Sequence, residues 1–313
     1  MKIKKWPLIV AGALLLAGAI CLSVAFSMGG FELENILRQQ PKELQTVQYA
    51  SGTVTLVDVQ ENIDDIIVVA SPDDKIHLSY YTNEDEYYEI TQTQEGVLSI
   101  RSKAGAQWYD FIKWLARYSK NKTPITIALP TEYAGSLRLH SDNGKIDVSA
   151  VSIGGYLEMR GKNGEMRIAQ TTIAGDVTSI TTNGRIDINT VTAMNAMLKT
   201  TNGKIGVHRL QTTGSINASG TNGEVLLSET VAEGSIDAYL TNGSVTLTHC
   251  RAINTRIETT NGGVTGNMAG ARQEYQITFD TVNGRKTPAE TGGEGPYTLY
   301  VKTINGNIHF TFE

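Results

Sequence analysis

The chain has 313 residues, 40% of them hydrophobic and 19% charged, with a formal charge of −5 and two cysteines. An acidic balance lacks the electrostatic footprint of a nucleic-acid binder. Two cysteines cannot build a disulfide framework.

The N-terminus carries Lys2, Lys4 and Lys5, then Trp6-Pro7, then an uncharged run from Leu8 to Gly30. Leu8 to Met28 spans 21 residues, long enough to cross a hydrocarbon core of about 30 Å. Residues 1–30 read as a cytoplasmic tail and an uncleaved transmembrane anchor. Ser23-Val24-Ala25 and Ala25-Phe26-Ser27 are the cleavage sites of the alternative signal-peptide reading. Ile20 before Cys21 departs from a lipoprotein box, which wants a small residue there. The positive-inside rule predicts a single pass, with the N-terminus cytoplasmic and the bulk of the protein outside the cell membrane. Without the three lysines, Lys+Arg falls from 27 to 24 against 32 Asp+Glu, which disfavours broad binding to anionic lipid. Cys21 falls in the span and Cys250 in the repeat, so no disulfide is expected.

Residues 31–45 read as a polar stalk, with a short helix over Glu32–Gln40 before Pro41. Residues 46–134 read as an irregular β region. Its alternating stretches are Thr53–Val57, Ile66–Ala70, Ile76–Tyr80, Tyr88–Ile90 and Val97–Ile100, separated by turn clusters such as Ser71–Asp74. One segment breaks the pattern near 107–118, where Trp108, Phe111, Ile112 and Leu115 share a helical face. It predicts one short amphipathic helix covering early coils. The alternative is an interfacial helix with Trp108, Trp114 and Tyr118 near lipid.

From residue 135 the sequence repeats. Asn-Gly recurs at Asn143-Gly144, Asn163-Gly164, Asn183-Gly184, Asn202-Gly203, Asn222-Gly223, Asn242-Gly243, Asn261-Gly262, Asn283-Gly284 and Asn305-Gly306. The steps are 20, 20, 19, 20, 20, 19, 22 and 22 residues. With each Asn as position zero, plus three and plus five are apolar (Ile146 and Val148, Ile186 and Ile188, Val245 and Leu247). Minus six and minus four are mostly apolar too (Leu137 and Leu139, Leu157 and Met159). This is the period-two alternation of strands with one buried face. A second corner recurs at Gly155, Gly175, Asn195, Gly214, Gly234 and Asn254.

Asn-Gly is also the strongest short hairpin signal. A hairpin would set minus six against plus seven. The plus-seven column is Ala150, Gln170, Thr190, Arg209, Glu229 and His249, largely polar, so the buried face would not continue. The apolar phase restarts at plus eight to ten (Val151, Ile153, Ile173, Val191, Leu210), which places a bend near plus six. A propeller blade needs about 40–45 residues, twice this period. The predicted fold is therefore an all-β single-chain β-solenoid of about 20-residue coils, right-handed by the usual crossover rule. Coils stacked at about 4.8 Å would make a rod of roughly 40 Å.

Gly and Asn suffice for the turn, so the Asn-Gly residues are read as structural turn formers rather than as a ladder of side-chain amides. Charges alternate in columns, with Lys145, Glu165, Arg185, Lys204 and Glu224 at plus two and Asp147, Arg167 and Asp187 at plus four. They predict cross-coil ion pairs that fix register. Thr181-Thr182, Thr200-Thr201, Thr221, Thr241 and Thr259-Thr260 are read as surface threonines, either a hydroxyl ladder for glycan or ordinary β-propensity. Arg285–Pro296 reads as a Gly/Pro-rich insertion, and Tyr297–Val301 with Ile308–Phe312 as the terminal cap.

These features together resemble the membrane-anchored bacterial "putative adhesin" β-repeat family, a domain of unknown function common in Gram-positive bacteria. The residues carrying the resemblance are the basic tail and apolar anchor ending Ser27-Met-Gly-Gly-Phe31, the strand Asp73–Tyr80, the segment Ile125–Tyr133 and the tandem Asn-Gly-x-Ile/Val-x-Ile/Val units. The resemblance implies a β-helical ectodomain. Some relatives resemble accessory proteins of Lia-type envelope-stress systems. The family has no established catalytic residues to carry over.

Function is expected to be non-catalytic. The less favoured alternative, a polysaccharide-active β-helix enzyme, needs clustered outward carboxylates, often with calcium, whereas acids and bases interleave here. His77, His140, His208, His249 and His309 lack metal-ligand spacing, and no cofactor motif is present. The expected partners are the membrane, through the anchor, and a cell-wall glycan or another envelope protein, with no nucleic acid. The alternative is an accessory sensor or scaffold whose anchor contacts signalling proteins.

Overall fold

The computed structural model describes residues 41–84, 86–104, 123–289 and 291–313, together with Leu14 and residues 16–18. The expected helix at 107–118 and most of the anchor and stalk lie outside the described residues. Among the described residues no helix is long and apolar enough to cross a membrane. Strand structure begins at Glu43, inside the stretch read as stalk.

The repeat is a parallel β-solenoid of about nine turns. Leu137, Leu157, Val177, Ala196, Ile216 and Ile236 lie successively over one another. So do Ile146, Met166, Ile186, Ile205, Val225, Val245 and Val264. Both columns are buried, all at 3% exposure or less. Every pairing in the Asn-Gly coils is parallel between strands, so the hairpin reading fails for the reason the plus-seven column suggested. Each coil has three short sides: one before the Asn-Gly corner, one at plus three to six and one at plus eight to ten.

The bend between the second and third sides falls at plus seven, one residue later than expected. Ala150, Gln170, Thr190, Arg209, Glu229 and His249 all adopt left-handed backbone, with φ between 49° and 57°. L-residues pay about 1–2 kcal/mol for this conformation, so the whole column is over-determined by packing on either side. The single turned residue resets the inward phase, which is why plus five and plus eight are both buried.

Glycine serves the Asn-Gly corner chiefly through close approach. Of the nine Asn-Gly glycines only Gly223 and Gly243 fall in the positive range, at φ 140° and 144°. A Cβ on Gly164 would instead sit 1.7 Å from the carbonyl oxygen of Gly144, and one on Gly184 2.0 Å from that of Gly164. The corners touch backbone to backbone, and no side chain fits between them.

Both ends depart from sequence order. The coil formed by Leu56–Glu61 and Ile66–Ala70 lies between two later ones: Val97–Ala104 with Ile125–Leu129 on one side, Ser136–Ser141 with Ile146–Ser149 on the other. Glu43–Ala50 and Lys75–Thr82 then close this end antiparallel over Ile125–Leu129, while Glu86–Gln92 pairs antiparallel with Val97–Ala104. At the other end Tyr297–Asn305 lies parallel between Val231–Asn261 and Tyr275–Asn283. Ile308–Phe312 likewise lies between Val264–Met268 and Lys286–Thr287. The C-terminal coil is thus inserted, not terminal as expected; the end coil is Tyr275–Thr287. Its open edge is guarded by the insertion, where Ile277 and Gly292 exchange backbone hydrogen bonds, and by Lys286 Nζ on the Phe279 carbonyl at 3.1 Å. Phe279 packs against Phe310 of the inserted coil, with the ring centroids 5.3 Å apart and the planes tilted by 32°.

Candidate binding groove

The left-handed residue at plus seven throws its side chain outward at the edge of the third side. Two residues on, plus nine also points outward, while plus eight is buried. Gln170 and Thr172, Thr190 and Thr192, and Arg209 and Gln211 therefore stand as exposed pairs on adjacent coils. With Glu229 they line a shallow open groove floored by Thr171 and Val191. Thr171 is buried and donates to its neighbour's carbonyl, Ala169 O, at 2.8 Å, so its hydroxyl is spent on the fold.

The groove offers hydroxyls, amides and one ion pair at coil spacing. Arg209 Nε donates to Glu229 Oε2 at 2.7 Å, and His208 Nδ1 lies 3.9 Å from the other carboxylate oxygen. The Arg209 guanidinium holds the Glu229 carboxyl below the ordinary carboxylate range. These groups donate and accept hydrogen bonds but provide no activated nucleophile. Cys250 lies inside the coil, where burial pushes its thiol up to about 11, so it is protonated near neutrality.

The Asn-Gly residues do more than turn the backbone. Asn163 Nδ2 donates to Asn143 Oδ1 at 2.8 Å, and the pattern continues through Asn183, Asn202, Asn222, Asn242, Asn261, Asn305 and Asn283, at 2.7–3.0 Å. The first amide, Asn143, donates to the Asn62 carbonyl at 3.0 Å. Turn chemistry alone was expected; the coil spacing places each amide within reach of the next, and the ladder forms.

The threonines divide. Thr181, Thr200 and Thr259 face inward at 2–4% exposure, and Thr200 and Thr259 donate to the Gly184 and Gly243 carbonyls. Thr182, Thr201, Thr221 and Thr241 face outward beside the ladder. Three of the eight threonines expected at the surface are therefore corner-sealing core. Charge pairing is partly cross-coil, as in Arg167–Asp147 and Lys204–Glu224, and partly within a coil, as in Lys145–Asp147 and Arg185–Asp187. His77, His140 and His249 each lie against one carboxylate, of Asp73, Asp142 and Glu313. Among the described residues no group of three or more His, Cys, Asp or Glu is placed to hold a metal ion. The groove itself was not read from the sequence, although its signal was there: a largely polar plus-seven column directly followed by a mostly apolar plus-eight.

No curated protein matches this chain in sequence. Similar solved structures include a "putative adhesin" from Bacteroides fragilis, at 16% identity over 88% of this chain and 100% of that one, with a TM-score of 0.46. Another, from Parabacteroides merdae and described in the same words, has 12% identity over 86% and 96%, with a TM-score of 0.37. A "putative cell adhesion protein" from Clostridium sporogenes has 9% identity over 87% and 100%, with a TM-score of 0.25. The family model described as Toastrack DUF4097 matches residues 47–311, and the chain belongs to that family.

Proposed function

We propose that this protein is a non-catalytic, adhesin-like module of the cell envelope, anchored by Leu8–Met28, that holds an extended polar polymer along the plus-seven/plus-nine groove. Cell-wall glycan is the polymer class that fits best. The observation carrying this reading is the groove's composition: hydroxyl and amide side chains from Gln170, Thr172, Thr190, Thr192 and Gln211, repeated on adjacent coils. A linear polymer of hydroxylated units meets such a row with many weak hydrogen bonds, each worth about 0.5–1.5 kcal/mol net. A stacked-coil scaffold suits this task because its surface repeats along the axis.

The test is retention of the full-length protein, in detergent, on purified cell wall and on glycan arrays. Thr172→Arg with Thr192→Arg fills the groove without touching buried residues and is expected to abolish retention. Equal retention of the double variant, or no retention of the unaltered protein, sinks the reading. The basic tail and apolar run favour a second reading, in which the anchor contacts signalling proteins and the rod is passive. On that reading, signalling survives deletion of residues 46–313.

A further inference from the structure

We propose that Asn283 is a selective site of spontaneous deamidation, the one weak rung of an otherwise protected ladder of Asn-Gly pairs. Asn-Gly is chemically labile because glycine, lacking Cβ, leaves its backbone nitrogen unhindered. That nitrogen attacks the asparagine Cγ, forming a new carbon–nitrogen bond. The bond from Cγ to Nδ2 breaks, and the proton lost from the glycine N–H leaves with the amine as ammonia. Water opens the resulting succinimide to aspartate or isoaspartate. No oxidant or reductant is needed.

The attack requires the amide to swing out of the ladder until Cγ faces the glycine nitrogen. Eight of the nine amides each donate one hydrogen bond and accept another. They must give up both. Asn283 donates to Asn305 Oδ1 at 2.8 Å, and among the described residues nothing donates to its own Oδ1. It gives up one. It also lies on the outermost coil, whereas the other eight corners have a coil on each side. Gly284 is exposed, as is Gly223 on an interior coil, whereas Gly144, Gly164 and Gly184 are buried, so base reaches its N–H more readily than theirs, and the missing hydrogen bond is what separates Asn283 from Asn222. Asn283 follows from the out-of-order coil: had the coils stacked in sequence order, Asn305 would be the end rung.

The product loosens that end. A carboxylate at 283 sets an acceptor against Asn305 Oδ1, where an N–H had been. An isoaspartate adds a backbone carbon at a corner where even a Cβ on Gly284 would lie 1.9 Å from the Gly306 carbonyl oxygen. The end coil is what covers Leu299 and Val301, both fully buried, so its loosening uncovers the inserted coil.

The experiment ages the purified full-length protein in detergent at mildly alkaline pH and follows each Asn-Gly pair by peptide mass mapping. One hydrogen bond fewer predicts conversion of Asn283 about two- to twelve-fold faster than any other pair. In denaturing urea the nine rates should converge. An interior asparagine or Asn305 converting as fast overturns the proposal. So does an Asn283 preference that persists unchanged in urea, because the ladder is then not its cause. Asn283→Gln should remove the fast phase of ammonia release; persistence of that phase places the reactive site elsewhere.

Discussion

Asn261 is followed by two glycines whose surroundings make opposite demands. A Cβ on Gly262 would lie 1.8 Å from the Gly243 carbonyl oxygen, while one on Gly263 would meet only the Asn307 carbonyl oxygen, at 3.5 Å. Gly262→Ala must part the two coils by about 1.6 Å to restore a 3.4 Å contact. That opens the Asn261–Asn242 amide bond, now 2.8 Å, and the Thr259 bond to the Gly243 carbonyl, now 3.1 Å, beyond hydrogen-bond range. Two hydrogen bonds at about 0.5–1.5 kcal/mol each give a loss of about 1–3 kcal/mol, before any residual overlap. Gly263→Ala meets no clash and restricts the unfolded state, so it should be neutral or stabilising by up to about 1 kcal/mol. Urea unfolding followed by circular dichroism compares the two variants, and hydrogen exchange localises the effect to the coils around residues 240–265. Equal stability of the two variants would refute the claim that backbone contact between corners, rather than turn conformation, selects glycine.

Two further outcomes follow from the core and the ends. The unfolded Cys250 thiol, near 9.0, deprotonates before the buried one at about 11. Between those values the unfolded state binds fewer protons, so stability is intact below about pH 9 and falls by about 2–3 kcal/mol towards pH 11. Cys250→Ala should flatten that slope in a pH series of urea titrations, and an unchanged slope would show that Cys250 is not its source. Protein termini usually exchange fastest, but Tyr297–Val301 lies between two coils, so its amides should exchange more slowly than those of Tyr275–Phe279 on the end coil; native-state hydrogen exchange showing the reverse order would contradict the inserted topology.

The amino-acid sequence determines the coil. The 20-residue period, the inward alternation at minus six, minus four, plus three and plus five, and the polar plus-seven column specify a stacked rod. Each of these signals is local, set by strand periodicity and by the tolerance of particular residues for a bend. Family membership was legible for the same reason, since the motifs carrying it are short and repeated. What the sequence left open concerns neighbours. Thr181 and Thr182 look alike in the sequence, yet one seals a corner and the other faces out, because only the stack decides which carbonyl lies within reach. The amide ladder and the exclusion of Cβ at the glycines arise from the distance between coils, which no single coil contains. The groove exists only because plus-seven and plus-nine side chains of several coils meet. The order of coils at the two ends was settled by tertiary structure alone, because any coil with this apolar pattern can lie on any other, and the alternation of one strand says nothing about which strand lies beside it.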